Sequence, residues 1–133
     1  MSNKIFISYH VDDEGKRYKN LLVAWSENDR KHFNISFDDT SVGVSINSTN
    51  ASYVKSVIQE KIKESPVFLC LIGKYTNQSD WVAWEIEKAL GLQKKIVAVK
   101  IDNQYTSPSA ILNVGASWAK SFNYASIKAA LDG

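Results

Sequence analysis

The sequence has few residues that cross-link a chain or bind a metal. It contains one cysteine and two histidines among 133 residues, which excludes an internal disulfide and a cysteine-based metal site. Cys70 lies within an apolar run, so we expect a small buried strand residue and not a catalytic thiol. His10 and His32 lack a spacing typical of metal ligands, so no metal site is predicted.

Glycine, proline and unbalanced charge are also scarce. Six glycines and two prolines exclude a collagen-like or low-complexity chain. The net charge is +2 and no basic block occurs, which argues against a nucleic-acid or membrane-surface binder. No signal peptide or membrane span is visible, so we expect a cytoplasmic protein. The length, with 44% hydrophobic residues, predicts a single domain over residues 1–133.

Short apolar segments alternate with segments of helical periodicity. Strands are predicted over residues 4–9, 34–39, 66–73 and 95–101, and helices over 13–29, 51–64 and 81–92. A short edge strand over 118–122 and a helix over 126–131 are also predicted. This alternation predicts an α/β fold. We expect a flavodoxin-like three-layer sandwich, with a parallel sheet of four to five strands and helices on both faces.

Polar clusters lie at the predicted carboxyl ends of three strands, where parallel α/β sheets bind their ligands. They are Ser8-Tyr9-His10, Asp38-Asp39, and the loop over residues 74–79 that leads into the third helix. No glycine-rich phosphate loop or nucleophile elbow accompanies them. An acidic pair follows the first strand, as in response-regulator receivers, but the third strand ends without the phosphorylated aspartate of that family.

The start of the third helix carries the most informative segment, residues 79–86. Ser79 is a suitable helix cap, and Glu85 follows Trp81 by about one turn, so both side chains can share a face. A carboxylate near a helix start at the rim of the sheet is well placed for a site. On these residues alone, a solvated glutamate stabilised by the helix dipole remains the alternative.

Taken together, these segments resemble the TIR and TIR-like domains. The opening strand, residues 5–9, is similar to that family's first strand, and Phe37-Asp38-Asp39 is similar to the end of its second. Ser79, Trp81 and Glu85 match the spacing of the family's SxWCxxE segment, although Val82 stands where cysteine is common. The nearest likeness is to the short TIR-like proteins of the bacterial Thoeris anti-phage system.

The resemblance implies an enzyme that cleaves the nicotinamide–ribose bond of NAD, with NAD as substrate and no separate cofactor. Thoeris members convert the ADP-ribose part into a cyclic or conjugated signal nucleotide that activates a separate effector protein. Hydrolysis, cyclisation and conjugation are all left open by the sequence. The resemblance also implies self-association, for which the polar loop over residues 40–50 is the natural contact, and activation by a phage component.

Roles for individual residues follow from this resemblance. Glu85 is the expected catalytic carboxylate, which would hold the ribose and stabilise the positive charge of an oxocarbenium-like transition state. Trp81 is expected to wall the pocket, with Trp84 as the alternative. The remaining candidates are expected to contact phosphate or ribose or to shape the loop entrance: Ser8, Tyr9, His10, Asp38 and Asp39.

Two non-enzymatic functions compete with this hypothesis. TIR-fold domains also act as adaptors that bind other TIR domains through surface loops, and an adaptor has no need of Glu85. A sensor that recognises ADP-ribose compounds without turnover is the other alternative. Release of nicotinamide from NAD would distinguish the enzyme from both, and a binding titration would separate the sensor from the adaptor.

Overall fold

A parallel five-stranded sheet forms the centre of the computed structural model, which describes residues 4–10, 13–28, 36–38 and 51–132. The strands are β1 (Lys4–Ser8), β2 (Ser36–Asp38), β3 (Val67–Ile72), β4 (Lys95–Lys100) and β5 (Ser117–Ala119). The helices are α1 (Asp13–Asn28), α2 (Ala51–Glu64), α3 (Asp80–Gly91) and α4 (Tyr124–Asp132). Two single 3₁₀ turns lie at Thr76–Gln78 and Ser109–Ile111.

The strand order is β2-β1-β3-β4-β5, and every neighbouring pair is parallel. The chain moves outward from β1 to β2 and then returns to β3 on the other side of β1. The topological switch point therefore lies between β1 and β3, where Ser8 is level with Cys70. In sheets of this order, ligands bind beyond the carboxyl ends of the strands at that point.

Two hydrophobic clusters cover the two faces of the sheet, which confirms the predicted sandwich. Side chains alternate along β1, so Phe6 points to the α2 and α3 face while Ile5 and Ile7 point to the α1 and α4 face. Phe6 stacks on Phe68 of β3, with ring centroids 5.6 Å apart. The middle residues of β3 and β4 are buried on both faces, as expected for central parallel strands.

The predicted element boundaries need correction mainly at the last strand and helix. The strand predicted over 118–122 spans Ser117–Ala119, because the chain then turns and the Asn123 amide N–H donates to the Ser121 carbonyl. The helix predicted over 126–131 begins earlier, at Tyr124. Its cap is Asn123, whose Oδ1 accepts a 2.8 Å hydrogen bond from the Ser126 amide.

The other differences are smaller. Helix α3 begins one residue before the predicted start, and β4 ends one residue before the predicted end. Residues 29, 34, 35 and 39 at predicted element ends, and the loop over 40–50, lie outside the described residues. None of the helices that the structure describes has the length and hydropathy that a bilayer crossing requires.

Candidate functional site

Helix α3 begins at the cap that the sequence predicted and carries Glu85 into the protein. The Ser79 Oγ accepts a 3.2 Å hydrogen bond from the Val82 amide, which satisfies one of the free donors at the helix start. Helical periodicity then places Val82, Glu85, Ile86 and Ala89 on the buried side. The structure thereby excludes the alternative of a solvated glutamate, which the local sequence left open, because Glu85 is only 6% exposed.

Glu85 meets Ser8 at the carboxyl end of β1. The Ser8 Oγ donates a 2.6 Å hydrogen bond to Glu85 Oε1, and Ser8 is itself fully buried. Burial raises the pKa of the Glu85 carboxyl to about 8, while the Ser8 hydrogen bond acts in the opposite direction. The site therefore holds a carboxyl group that is mostly neutral at pH 7, beside the topological switch point.

Cys70 lies next to this pair and is fully buried, as the sequence predicted. It is level with Ser8 across the β1–β3 ladder. Burial raises the pKa of the Cys70 thiol, and the charge that Glu85 carries when it is ionised raises it further. A thiol held in its neutral form is a poor nucleophile, so Cys70 belongs to the packing beneath Glu85.

The loop between β3 and α3 is tied down at the same edge of the sheet. The Gly73 amide donates a 2.7 Å hydrogen bond to the buried Thr76 Oγ1. Glu14 of α1 approaches so closely that a Cβ at Gly73 would lie 3.1 Å from Glu14 Oε1. Glu14 accepts hydrogen bonds from the Lys74 amide at 3.4 Å and from the Tyr105 hydroxyl at 3.0 Å. One carboxylate thus joins two loops that follow neighbouring strands.

Tyr105 shows the electrostatic consequence of this contact. The hydrogen bond to Glu14 raises the pKa of the Tyr105 hydroxyl, because the carboxylate stabilises the protonated donor. Glu14 and Tyr105 lie 91 positions apart in the sequence, so no local pattern connects them.

His10 reaches the β3–α3 loop from the end of β1. Its ring lies against Tyr75, with centroids 6.5 Å apart and planes at 65°. The Lys74 Nζ lies 5.6 Å from the centre of the same Tyr75 ring. The structure therefore groups His10, Lys74 and Tyr75 beside the Ser8–Glu85 pair, since His10 follows Ser8 by two residues.

Tyr9, the residue between Ser8 and His10, lies on the other face of the sheet. It packs against the cluster beneath α1 and α4, and the Lys19 Nζ lies 6.0 Å from its ring centre. Alternation along the strand explains this placement, because neighbouring side chains point to opposite faces. The structure does not bring Tyr9 together with Glu85, and a substrate contact for Tyr9 remains an expectation.

Trp81 lies one turn before Glu85, as predicted, but its ring turns toward α2. It meets Trp84 edge to face at 5.8 Å. The Lys55 Nζ of α2 lies 5.7 Å from the Trp81 ring centre and 5.4 Å from that of Trp84. Both rings pack against the cluster on the Glu85 side of the sheet. A role for Trp81 as a pocket wall stays a prediction.

Asp38 ends β2, and its backbone is level with Phe6 of β1. That position is at the expected sheet edge, one strand away from Ser8. Asp39 and the side chain of Asp38 lie outside what the structure describes, and their expected roles remain expectations. Among the described residues, no three His, Cys, Asp or Glu side chains form a group that could hold a metal ion.

Sequence reasoning missed two features of this edge. Ser8 was expected to contact substrate, and the structure shows its hydroxyl hydrogen-bonded to Glu85. Side chains alternate along β1, so Ser8 points to the same face of the sheet as the buried Phe6. This alternation could have indicated the contact with Glu85. Glu14 and Tyr75 were not singled out. The contacts of Glu14 and Tyr75 depend on which loops the fold brings together, and no spacing in the sequence indicates which loops will meet.

Comparison with protein families gives a clear match. Residues 6–106 match the family described as Thoeris protein ThsB, TIR-like domain. This segment contains the second half of β1, all of β2 to β4 and α1 to α3, and both members of the Ser8–Glu85 pair. Comparison with curated proteins found no significant match.

Several solved structures have the same fold, and the names of two of them describe chemistry on nucleosides or nucleotides. A 2-deoxyribosyltransferase from Bacillus psychrosaccharolyticus has a TM-score of 0.62 at 15% identity, covering 93% of this chain and 95% of that one. The Clostridium botulinum CMP N-glycosidase BcmB has a TM-score of 0.56 at 16% identity, covering 84% and 79%. The TIR domains of the activated Roq1 resistosome give 0.50 at 20% identity, covering 77% and 60%. At these identities the likeness concerns the fold.

Proposed function

The chain belongs to the Thoeris ThsB family of TIR-like domains, and we propose that it is an enzyme that cleaves the nicotinamide–ribose bond of NAD in anti-phage defence. The observation that carries this proposal is the buried Glu85 carboxyl, hydrogen-bonded to Ser8 at the switch point of the sheet. Burying a carboxyl group with a single described hydrogen-bond donor costs stability, and such costly groups are concentrated at functional sites.

The chemistry of NAD suits one well-placed carboxylate. When the C–N bond breaks, its electron pair passes to the positively charged nicotinamide nitrogen, which leaves as a neutral molecule. The ribose C1′ becomes an oxocarbenium-like centre that carries the positive charge. A carboxylate in a water-poor site stabilises that charge far better than one in bulk water, and can accept hydrogen bonds from ribose hydroxyls. No general acid is needed for this leaving group.

The environment of Glu85 fits a group that becomes charged when substrate binds. Burial favours the neutral carboxyl, with a pKa of about 8. A cationic nicotinamide ring beside it would favour the ionised form, with the proton lost to solvent. The Ser8 hydroxyl donates to Glu85 Oε1 and holds that oxygen in place, which leaves Oε2 as the oxygen for the ribose.

Similar structures add support of a general kind. BcmB is named as a CMP N-glycosidase, and the Bacillus psychrosaccharolyticus protein as a 2-deoxyribosyltransferase. Both names describe chemistry at a nucleoside or nucleotide on the same fold. We accordingly place the substrate at the carboxyl edge of the sheet, above β1 and β3.

Our proposal for the ADP-ribose part of the substrate rests on the family to which the chain belongs. We propose that the chain makes an ADP-ribose-derived signal nucleotide, cyclic or conjugated, which activates a separate effector protein. We further propose that the chain associates with other copies of itself and that a phage-derived component activates it. Attack by water would give ADP-ribose, attack by a group of the same molecule a cyclic product, and attack by another small nucleophile a conjugate.

The test compares wild type with Glu85→Gln, using Glu87→Gln as the matched control because Glu87 is exposed on the same helix. Purified protein at high concentration is incubated with NAD, with and without lysate from phage-infected cells, and products are resolved by mass spectrometry. We expect nicotinamide release by wild type and Glu87→Gln. Release by Glu85→Gln should fall by at least ~10²–10³-fold, the usual loss when one charge-stabilising group is removed.

Two outcomes would contradict the proposal. Turnover by Glu85→Gln at the wild-type rate would remove Glu85 from the mechanism. No nicotinamide release by wild type in either condition would favour an adaptor or a sensor of ADP-ribose compounds. An ADP-ribose titration would then separate those two, because only the sensor binds the nucleotide.

A further inference from the structure

One aromatic side chain is both exposed and close to the candidate site. Among the described residues, four large hydrophobic side chains are exposed, and Tyr75 is the most exposed of them at 47%. Leu21 and Val57 lie within α1 and α2, and Leu112 follows a 3₁₀ turn. Tyr75 instead lies in the loop after β3, at the carboxyl edge of the sheet. An aromatic ring exposed there offers a stacking surface at the position where this fold binds ligands.

The backbone that carries Tyr75 is held by hydrogen bonds on both sides. Gly73 donates to Thr76 Oγ1 at 2.7 Å, and the Gln78 amide donates to the Tyr75 carbonyl at 3.0 Å. Glu14 accepts a 3.4 Å hydrogen bond from the Lys74 amide. These hydrogen bonds hold the backbone of the loop that carries Tyr75, which lowers the backbone entropy lost when a ligand stacks on the ring.

Positive charge accompanies the ring. The Lys74 Nζ lies 5.6 Å from its centre, and His10 contacts it from the end of β1. Within the part of the chain that the structure describes, Lys74 is exposed and forms no ion pair. An exposed ammonium group beside an exposed aromatic ring matches the two parts of a nucleotide, a flat base and an anionic phosphate.

Contacts with the end of β1 connect Tyr75 to the Glu85 site. His10 contacts Tyr75, and Ser8, two residues earlier, contacts Glu85. Two residues of extended chain span at most roughly 7 Å, so Tyr75 and Glu85 are joined through contacts with the same short segment at the end of β1.

We propose that Tyr75 and Lys74 form the nucleotide-recognition edge of the Glu85 site, where Tyr75 stacks on an aromatic base and Lys74 binds a phosphate. The inference rests on the proposed function, because it names the part of a nucleotide substrate that is held while the bond at Glu85 is cleaved. It assigns recognition to the β3–α3 loop and leaves the bond cleavage to Glu85.

Binding titrations in the wild-type background test this assignment, because the ligands used lack the nicotinamide–ribose bond and are not consumed by the proposed reaction. Calorimetry measures Kd for ADP, adenosine and inorganic phosphate with three variants, Tyr75→Ala, Tyr75→Phe and Lys74→Gln. Lys63→Gln, at an exposed lysine in the last turn of α2, is the surface control. Thermal melts establish that each variant is folded.

The two side chains should show different signatures. Tyr75→Ala should weaken both ADP and adenosine by ~5- to 100-fold, the range expected for one lost stacking contact, while Tyr75→Phe stays within about twofold of the parent. Lys74→Gln should weaken ADP but not adenosine, with a smaller salt dependence than the parent. Lys63→Gln should change none of these values.

The inference and the proposed function fail in different ways. Unchanged ADP affinity in folded Tyr75→Ala and Lys74→Gln overturns the inference, even if wild type cleaves NAD. So does inorganic phosphate binding as tightly as ADP, since the base would then contribute nothing. Absence of NAD cleavage by wild type, together with Tyr75-dependent binding of ADP, contradicts the proposed function and supports the recognition edge.

Discussion

Two glutamates lie at the carboxyl edge of the same sheet and have different environments. Glu85 lies on the buried side of α3 and accepts a 2.6 Å hydrogen bond from the Ser8 hydroxyl. Glu14, at the start of α1, is only half-buried and accepts from the Lys74 amide and the Tyr105 hydroxyl, which belong to two different loops. The first carboxyl is held inside the protein, and the second joins two segments at its rim.

The same carboxyl group has a different role in each of these two environments. Burial destabilises the charged form of Glu85, so its pKa is raised to about 8. Such a group can change protonation when a cationic ligand arrives. Glu14 instead is half-buried and accepts hydrogen bonds from two different loops, which suits a group that holds those loops in place. The two regions therefore predict different responses to pH and to substitution.

The largest expected effect concerns the pH dependence of stability. The native pKa of Glu85, about 8, exceeds its ordinary value of 4.5, so the native state holds more protons than the unfolded state between these values. The free energy of unfolding should therefore fall as pH rises from 4.5 to 8, by up to ~1.4 kcal/mol per pH unit from this group. Glu85→Gln lacks this loss, and its stability relative to wild type should rise over the same window.

Urea denaturation of wild type, Glu85→Gln and Glu87→Gln at several pH values measures this difference. Glu87→Gln removes a charge from the exposed side of the same helix and controls for that change. Parallel stability curves for wild type and Glu85→Gln would show that the Glu85 carboxyl has no raised pKa in solution.

A smaller effect is expected from Ser8→Ala. Its hydrogen bond lowers the pKa of Glu85, so its removal should raise that pKa above about 8. If the ionised carboxylate is the active form, kcat/KM for NAD should fall roughly tenfold at pH 7 and recover toward wild type at high pH. The readout is the midpoint of the pH profile. An equal loss of activity at every pH would indicate that Ser8 acts only through packing.

The smallest effect is expected in the Glu14 region. Tyr105→Phe removes the 3.0 Å hydrogen bond to Glu14 Oε2 and keeps the ring in place. Because Glu14 retains the Lys74 amide and water as donors, Tm should fall by only a few degrees. The pH midpoint of activity should stay at the wild-type value, since neither Glu85 nor Ser8 is touched. A shift of that midpoint would mean that the two carboxylates are coupled, contrary to the comparison.

Much of the fold could be predicted because the signals are local. The apolar runs at β3 and β4 indicate strands covered on both faces, and the structure buries them so. The Ser79 cap and the spacing to Glu85 were also readable from neighbouring residues. The last strand was less predictable, since Ser117–Ala119 is short and ends where a side-chain-stabilised turn begins.

The candidate site was predictable only in part. Alternation and the helix period are enough to put Ser8 and Glu85 on interior faces. Tyr9 was assigned to the site with its neighbours, yet the same alternation turns it to the other face of the sheet. Contacts between distant segments, such as those of Glu14 with the loops at Lys74 and Tyr105, have no signature along the chain.

By itself, the sequence determined the order of strands and helices, the parallel sheet and the position of Glu85 one turn into a capped helix, because periodicity and capping act over a few residues. Only the tertiary structure decided that Glu85 is buried against Ser8, that Cys70 lies beneath it, and that Tyr75 contacts His10 and Lys74. The physical reason is that desolvation and long-range hydrogen bonds depend on which surfaces pack together. That packing sets the protonation of Glu85, and with it the chemistry that we propose.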